Sequence, residues 1–313
     1  MKFILGSGVV GLLARDILGP DWTIIPFFKS RFYTFNPSLA DNFIIRNDEI
    51  SQYVKANISG VKTFPYKRAY SIKGALYNKH DDGICGDWCT NAFSYDYSKH
   101  ILAYMRYGME FDVYDIRINQ LYKDLMDKYM PEIQKGMAYG GLTAISDHKL
   151  VFGDRQIDYD KLVSTIPLDS LSHYCGFDMG LKKKDAHFIH LHTDHLDFEG
   201  NNQVLVVDNS FPFYQVTKVA DKKYLFYFNE SLENPGAFFM SLMKDFDIID
   251  GTSVKDYIVL GDLPKLTLFE QMNILCVGSY AQWDWCMDVG SCILRLIKYS
   301  GRGQKEAKPN LKI

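Results

Sequence analysis

The chain has 313 residues, 47% of them hydrophobic, enough for a large core and for two lobes. Its net charge of −3 excludes the broad basic field that favours nucleic acid. No apolar run reaches the roughly 18 residues of a membrane span, and six scattered cysteines fit reduced thiols in a cytoplasmic protein better than a disulfide framework. Lys2 precedes an apolar run, but Arg15-Asp16 interrupts it and no small-residue cleavage site follows, so a cleaved leader is not expected. Aromatic residues reach 15%. That suits a site for a planar or sugar-like ligand, and equally suits an aromatic core.

The first 26 residues organise the rest. Lys2-Phe3-Ile4-Leu5 is a short apolar run, and Gly6-Ser7-Gly8-Val9-Val10-Gly11 follows at once. Val9, Leu12, Leu13 and Ile17 then recur at helical spacing, Gly19-Pro20-Asp21 breaks the helix, and Trp22-Thr23-Ile24-Ile25 predicts a second strand. A G-x-G-x-x-G between strand and helix is the context in which glycines cradle a dinucleotide. Gly6 permits the tight turn, Gly8 lets a pyrophosphate approach the backbone, and Gly11 lets the helix pack on the sheet. The first helical N–H groups then face the phosphate charge. A ribose-binding carboxylate is expected about 20 residues on, at the end of the second strand. Pro26 stands there, and Lys29 and Arg31 are candidates to meet a phosphate instead.

Residues 32–75 are mixed, with an extended loop at Phe32 to Pro37. His80, Cys85 and Cys89 could be taken for metal ligands, but no second pair lies near in sequence, so a loop with two buried thiols is the plainer reading. Helices are expected over 93–107 and 116–130, the second ended by Pro131. Residues 143–158 alternate and turn at Gly153-Asp154 as a hairpin does, and Tyr159 to Pro167 predicts a buried strand returning to the parallel sheet. Lys182-Lys183-Lys184 is expected in a solvated turn. His187, His190, His192 and His195 lie in an alternating stretch, the polar face of a strand rather than a metal site. Phe211 to Val216 and Tyr224 to Phe228 are further strands. Asn273 to Gly278 is another, and a final helix opens near Met287-Asp288-Val289 with Asp288 as its N-cap.

Three separated segments resemble one family, the FAD-dependent amine-oxidase and UDP-galactopyranose-mutase group. They are the Gly6–Gly11 unit, the Tyr159–Leu168 strand, similar to the group's D-x-V-x-x-T-x-P, and Val277 to Asp288, similar to its closing G-R-x-x-x-W-x-Y-x-x-M-D. The resemblance implies an α/β fold: a Rossmann-like FAD-binding domain built from residues 1–35, 143–170 and 266–300. An α+β substrate lobe from 36–142 and 171–265 is inserted, and 301–313 form a polar tail. It further implies FAD, or FMN, held by Gly6, Ser7, Gly8, Val10, Gly11, Thr165, Ile166, Gly278, Ser279 and Trp283. The backbone N–H groups of Met287, Asp288 and Val289 would meet the flavin ring. Ser279 stands where the family usually has arginine, and Gln215 where the mutase branch has one.

The activity so implied is a flavin-dependent oxidoreductase that oxidises a C–N bond of a small or nucleotide-linked amine. The alternatives are a redox-neutral mutase-like enzyme acting on a nucleotide-sugar, a degenerate member without activity, and a nicotinamide enzyme. A small-molecule substrate is the expected partner. Tyr214 and Tyr227, on strands expected to flank the ring, and His192, which shares a face with His190 and is of the side-chain type that handles protons, are the candidate catalytic side chains.

Overall fold

A computed structural model describes residues 1–27, 43–46, 48–58, 60–79, 81, 83–85, 87–88, 109–146, 148–193, 198–208, 213–228, 248–260, 266–282 and 288–301. In chain order its elements are β1 (Lys2–Leu5), α1 (Val9–Leu18), β2 (Trp22–Ile25), β3 (Phe43–Ile45), α2 (Asp48–Asn57), β4 (Lys62–Ile72), β5 (Ala75–Tyr77), β6 (Glu110–Asp115) and α3 (Ile118–Met137). They continue with β7 (Ala144–Ser146), β8 (Lys149–Phe152), β9 (Arg155–Asp158), β10 (Lys161–Ser164), α4 (Leu168–Tyr174), β11 (Lys182–Thr193), β12 (Gln203–Val206), β13 (Gln215–Ala220) and β14 (Lys223–Phe228). The last are β15 (Ile248–Leu260), α5 (Thr267–Gln271), β16 (Ile274–Cys276), α6 (Ser279–Gln282) and α7 (Val289–Ser300).

The apolar runs of the first strand, the returning strand and the closing strand make one parallel sheet in the order β16-β10-β1-β2. Ile4 pairs with both Ile24 and Val163, and Val163 with Leu275. Phe3, Ile4 and Leu5 are all buried, because a parallel sheet is covered on both faces and needs continuous apolar strands. One face carries Ile4, Ile24 and Val163 and packs against α1, α2, α3 and α7. The other carries Phe3, Leu5, Ile25 and Leu162 and packs against α4, α5 and the antiparallel β7-β8-β9 meander. The expected hairpin over 143–158 is this meander.

The second sheet joins nine strands, in the order β15-β11-β14-β13-β12-β4-β6-β3 with β5 paired to β4. Alternation gives it two apolar faces. Tyr70, Phe188, Leu205, Leu225 and Tyr227 share one, and Ile189, Leu191, Val206, Val216 and Phe226 the other.

Three expectations need correction. The helix beginning near residue 116 does not stop at Pro131; α3 continues to Met137. Pro131 is exposed, so the carbonyl it leaves without an N–H faces water. Beyond it Ile133 is fully buried, and a side chain at Gly136 would come within 2.0 Å of the Ile24 carbonyl. That packing offsets the roughly 3 kcal/mol cost of an interior proline. Next, the segment 36–142 is not all substrate lobe. Ile50, Val54 and Ile58, with Ile118, Leu121, Leu125 and Ile133, pack in the same cluster as Leu12, Leu13 and Ile17 of α1. Lastly, Lys182, Lys183 and Lys184 open strand β11 opposite Leu260, Val259 and Ile258, because the long β15 extends the pairing to them. The helix expected over 93–107 and the loop at Phe32 to Pro37 lie outside the described residues.

Candidate functional site

The ends of β1, β10 and β16 align at Leu5, Ser164 and Cys276. The chain leaves each strand through a residue tied to its neighbour: Gly6 N–H donates to the Ile25 carbonyl (2.8 Å), Thr165 N–H to that of Leu5 (2.9 Å), and Val277 N–H to that of Ser164 (2.9 Å). The carboxyl edge of the sheet is therefore a braced shelf. Open α/β sheets bind ligands on that edge.

The glycines of the first turn differ in purpose. Gly6 has φ 109, and a Cβ there would lie 2.4 Å from Thr165 Oγ1, which itself donates to the Leu5 carbonyl. A Cβ at Gly11 would lie 2.2 Å from the Gly6 carbonyl, so this glycine seats helix on strand. A Cβ at Gly8 would touch nothing within 4 Å. Gly8 caps α1 without a side-chain hydrogen bond, and the first turn of α1 has no acidic residue. Ser7 is 1% exposed, yet its Oγ has no hydrogen-bond partner among the described residues. Open space over Gly8, an orphaned hydroxyl beside it and uncapped N–H groups fit a phosphate chain. Val10, on the second position of the helix, is half-buried against the α1 core.

The closing segment reaches the same edge. Tyr299, near the end of α7, packs edge-on against Trp22 at the start of β2 (6.2 Å), and the ammonium of Lys161 at the start of β10 lies 5.4 Å from its ring. The last turn of α7 thus lies at the amino edge of the sheet. Its first turn points toward the carboxyl edge, as that of α1 does. Asp288 caps α7, accepting from Ser291 N–H at 2.7 Å. The first-turn N–H groups of Val289 and Gly290 have no intrahelical acceptor. A Cβ at Gly290 would lie 2.6 Å from Ile44 on β3, so the second sheet abuts this helix start. Gly278, with φ 123, turns the chain into α6, where Ser279 is half-buried.

Gly6, Gly11 and Thr165 pack on one another beneath the exposed Gly8, and the α7 start with Asp288 and Val289 lies toward the same edge. Thr165 abuts Gly6, whereas the Ile166 side chain packs in the core behind the sheet. At the end of β2, Pro26 is buried under α3, and a Cβ at Gly136 would come within 2.9 Å of it. Lys29, Arg31, Trp283 and Met287 lie outside the described residues.

The candidate catalytic side chains lie on strands of the nine-stranded sheet. Tyr214 is 1% exposed, and its ring lies 6.0 Å from that of Tyr227 and 6.5 Å from that of Trp88, whose indole N–H donates to the Tyr214 carbonyl at 2.8 Å. Burial pushes the Tyr214 phenol far above its ordinary range. His192 pairs with Lys223 and Asp250, while Phe188 pairs with Tyr227 on the same strand. Four residues at ~3.3 Å each separate the two pairs, so the histidine stands ~13 Å along the sheet from the tyrosines. Gln215 is buried and donates to Thr217 Oγ1 at 3.2 Å. Of the residues considered as metal ligands, Cys85 is buried, while His80 and Cys89 lie outside the described residues. Among the described residues there is no cluster of three or more His, Cys, Asp and Glu side chains able to hold a metal, and no helix long and apolar enough to cross a membrane.

Sequence reasoning missed the orphaned Ser7 hydroxyl as a distinct feature. It also missed α2, whose Ile50 flanks the start of α7. Ile50 and Val54 at i, i+4 were the available signal for that helix.

No protein-family model matches the chain, and comparison with curated proteins gives no match. Solved structures do match over nearly the full length. A reduced UDP-galactopyranose mutase superposes with TM-score 0.63 at 11% identity, covering 96% of this chain and 93% of that one. An oxidoreductase from Methanosarcina mazei gives 0.59 at 12%, covering 96% and 100%. Cyclohexylamine oxidase from Brevibacterium oxydans gives 0.58 at 10%, covering 98% and 99%. The likeness is one of fold: a Rossmann-like domain assembled from discontinuous segments and carrying a second, larger sheet, as the three sequence segments implied.

Proposed function

We propose that the chain is a flavin-dependent oxidoreductase that holds FAD along the carboxyl edge of its parallel sheet and oxidises a C–N bond of a small or nucleotide-linked amine. The observation that carries the reading is the meeting of two helix starts on one edge, with the space over Gly8 open and the Ser7 hydroxyl unsatisfied. Gly6, Ser7, Gly8 and the first turn of α1 hold the pyrophosphate. Thr165 lines the turn beside them. The first turn of α7 faces the ring, where its partial positive charge favours an anion. A bound flavin supplies the two-electron acceptor for the C–H bond beside the amine nitrogen. The protein's own task is then to orient the amine and keep water out.

Pro26 supplies no carboxylate to the ribose, so affinity rests on the phosphate turn and the ring. Loss of one charge-assisted hydrogen bond, about 1.5–3 kcal/mol, weakens binding some 10- to 100-fold, which tight flavin binding survives and weaker nicotinamide binding does not. The mutase reading needs an anion-binding residue where Gln215 stands, and Gln215 is engaged in a buried amide–hydroxyl ladder. An absorption spectrum of the purified chain, before and after FAD is added, tests the cofactor. Anaerobic bleaching of that flavin by a primary or secondary amine tests the reaction. A chain that takes up neither FAD nor FMN is a non-catalytic bearer of the fold.

A further inference from the structure

The end of the second strand is where a dinucleotide's ribose is usually gripped, by a carboxylate that closes the strand. In this chain the groups at that end are already used. The Ile25 carbonyl accepts from Gly6 N–H at 2.8 Å. Pro26 follows, buried, with no N–H to donate and no polar side chain. Phe27 packs into the core on the α4 face of the sheet, its ring 5.9 Å from that of Tyr174.

The space beside the strand is filled as well. β2 is the last strand of the parallel sheet, and a helix rather than a fifth strand stands against its end. α3 presses its backbone there, so that a Cβ at Gly136 would strike the Ile24 carbonyl and come within 2.9 Å of Pro26 Cδ. Just past α3, Tyr139 joins the core of the other face, stacked on Phe152 (5.6 Å) and edge-on to Phe3 (6.2 Å). The end of β2 is thus wrapped by protein on both faces. The phosphate turn is the opposite case, exposed at Gly8 and with the buried Ser7 Oγ lacking a partner among the described residues.

Resting on the flavin reading of this edge, we infer that the chain recognises its cofactor as riboflavin 5′-phosphate and reads nothing of the adenylate, so that FMN serves as well as FAD. One phosphate is enough for the turn. A phosphate monoester carries about −1.5 to −2 charge near pH 7 on a single group, which suits the start of α1 and the Ser7 hydroxyl at least as well as one half of a pyrophosphate. The ring meets the start of α7 whichever flavin is bound. The adenosine of FAD finds no carboxylate at the end of β2. It forgoes the charge-assisted hydrogen bond that would set FAD about 10- to 100-fold above FMN in affinity.

The test is a competition. The full chain is equilibrated with equimolar FMN and FAD and freed of unbound flavin, and the flavin it retains is released and separated by chromatography. The two are expected in amounts within about threefold of each other, and ADP at about 1 mM displaces neither. Gly8→Asp, whose carboxylate faces the phosphate that both flavins share, lowers the affinity for FMN and FAD by the same factor in calorimetric titration. FAD exceeding FMN by more than about tenfold, displacement by ADP, or an effect of Gly8→Asp on FAD alone overturns the inference and leaves flavin binding standing. A chain that retains neither flavin overturns the flavin reading itself, and the inference with it.

Discussion

The carboxyl edge of the parallel sheet and the aromatic face of the nine-stranded sheet both attract attention in the sequence, one for its glycines and the other for its tyrosines. They differ in construction: one is made of strand ends and helix starts, the other of paired strands whose side chains pack on one another. At the edge, helix starts lack internal acceptors, a buried hydroxyl lacks a partner, and Gly8 looks onto open space. On the sheet face, rings pack at 5.4–6.5 Å, and buried Arg68, Gln203, Thr217 and Gln215 bond to one another. Uncapped helix starts beside open space can receive an anion, whereas packed rings and bonded side chains hold strands together. On this comparison Tyr214 and Tyr227 pack within the second sheet, and the edge is the place we propose for the cofactor.

Four experiments would break or sharpen that contrast. The largest effect is expected at Gly11. Gly11→Ala drives a methyl into the Gly6 carbonyl and costs about 3 kcal/mol or more of folding stability, visible in chemical denaturation. Gly8→Asp is its opposite. The backbone there (φ −67, ψ 178) suits any residue and aspartate is a good N-cap, so folding is unharmed. A carboxylate set against a pyrophosphate costs ~3 kcal/mol at about 5 Å and an effective dielectric near 20, so FAD affinity falls about 100-fold, read by flavin fluorescence. If both variants bind FAD normally, the edge is not the site.

Asp16 gives a smaller, pH-dependent effect. Burial acts to raise its pKa, but hydrogen bonds from Lys128, Tyr129 and Tyr53 and the Lys128 charge outweigh it, leaving the carboxyl below its ordinary 3.8. A depressed pKa contributes stability that is present above the unfolded value and lost as pH falls through the folded one. Asp16→Asn is thus destabilised by about 1 kcal/mol near neutrality, and its deficit against the parent shrinks in denaturation curves taken below pH 3.8. The smallest change is expected for Tyr214→Phe, with anaerobic flavin reduction by an amine within about twofold of the parent. A drop of a hundredfold would return the tyrosine to the chemistry.

The residues themselves determined the parallel core. Continuous apolar runs at Phe3–Leu5, Leu162–Val163 and Ile274–Cys276 can be buried only on both faces, and the glycine spacing after the first run admits few turns. Asp288 as a cap was legible for the same local reason. Only tertiary structure decided that α3 passes through Pro131, because the packing of Ile133 and Gly136 on β2 is invisible to local propensity. It alone decided that Lys182 to Lys184 pair in a strand, and that Tyr214 is sealed rather than displayed. Local pattern sets which backbone states are cheap; what a side chain faces depends on partners more than a hundred residues away, as when Trp88 meets the Tyr214 carbonyl.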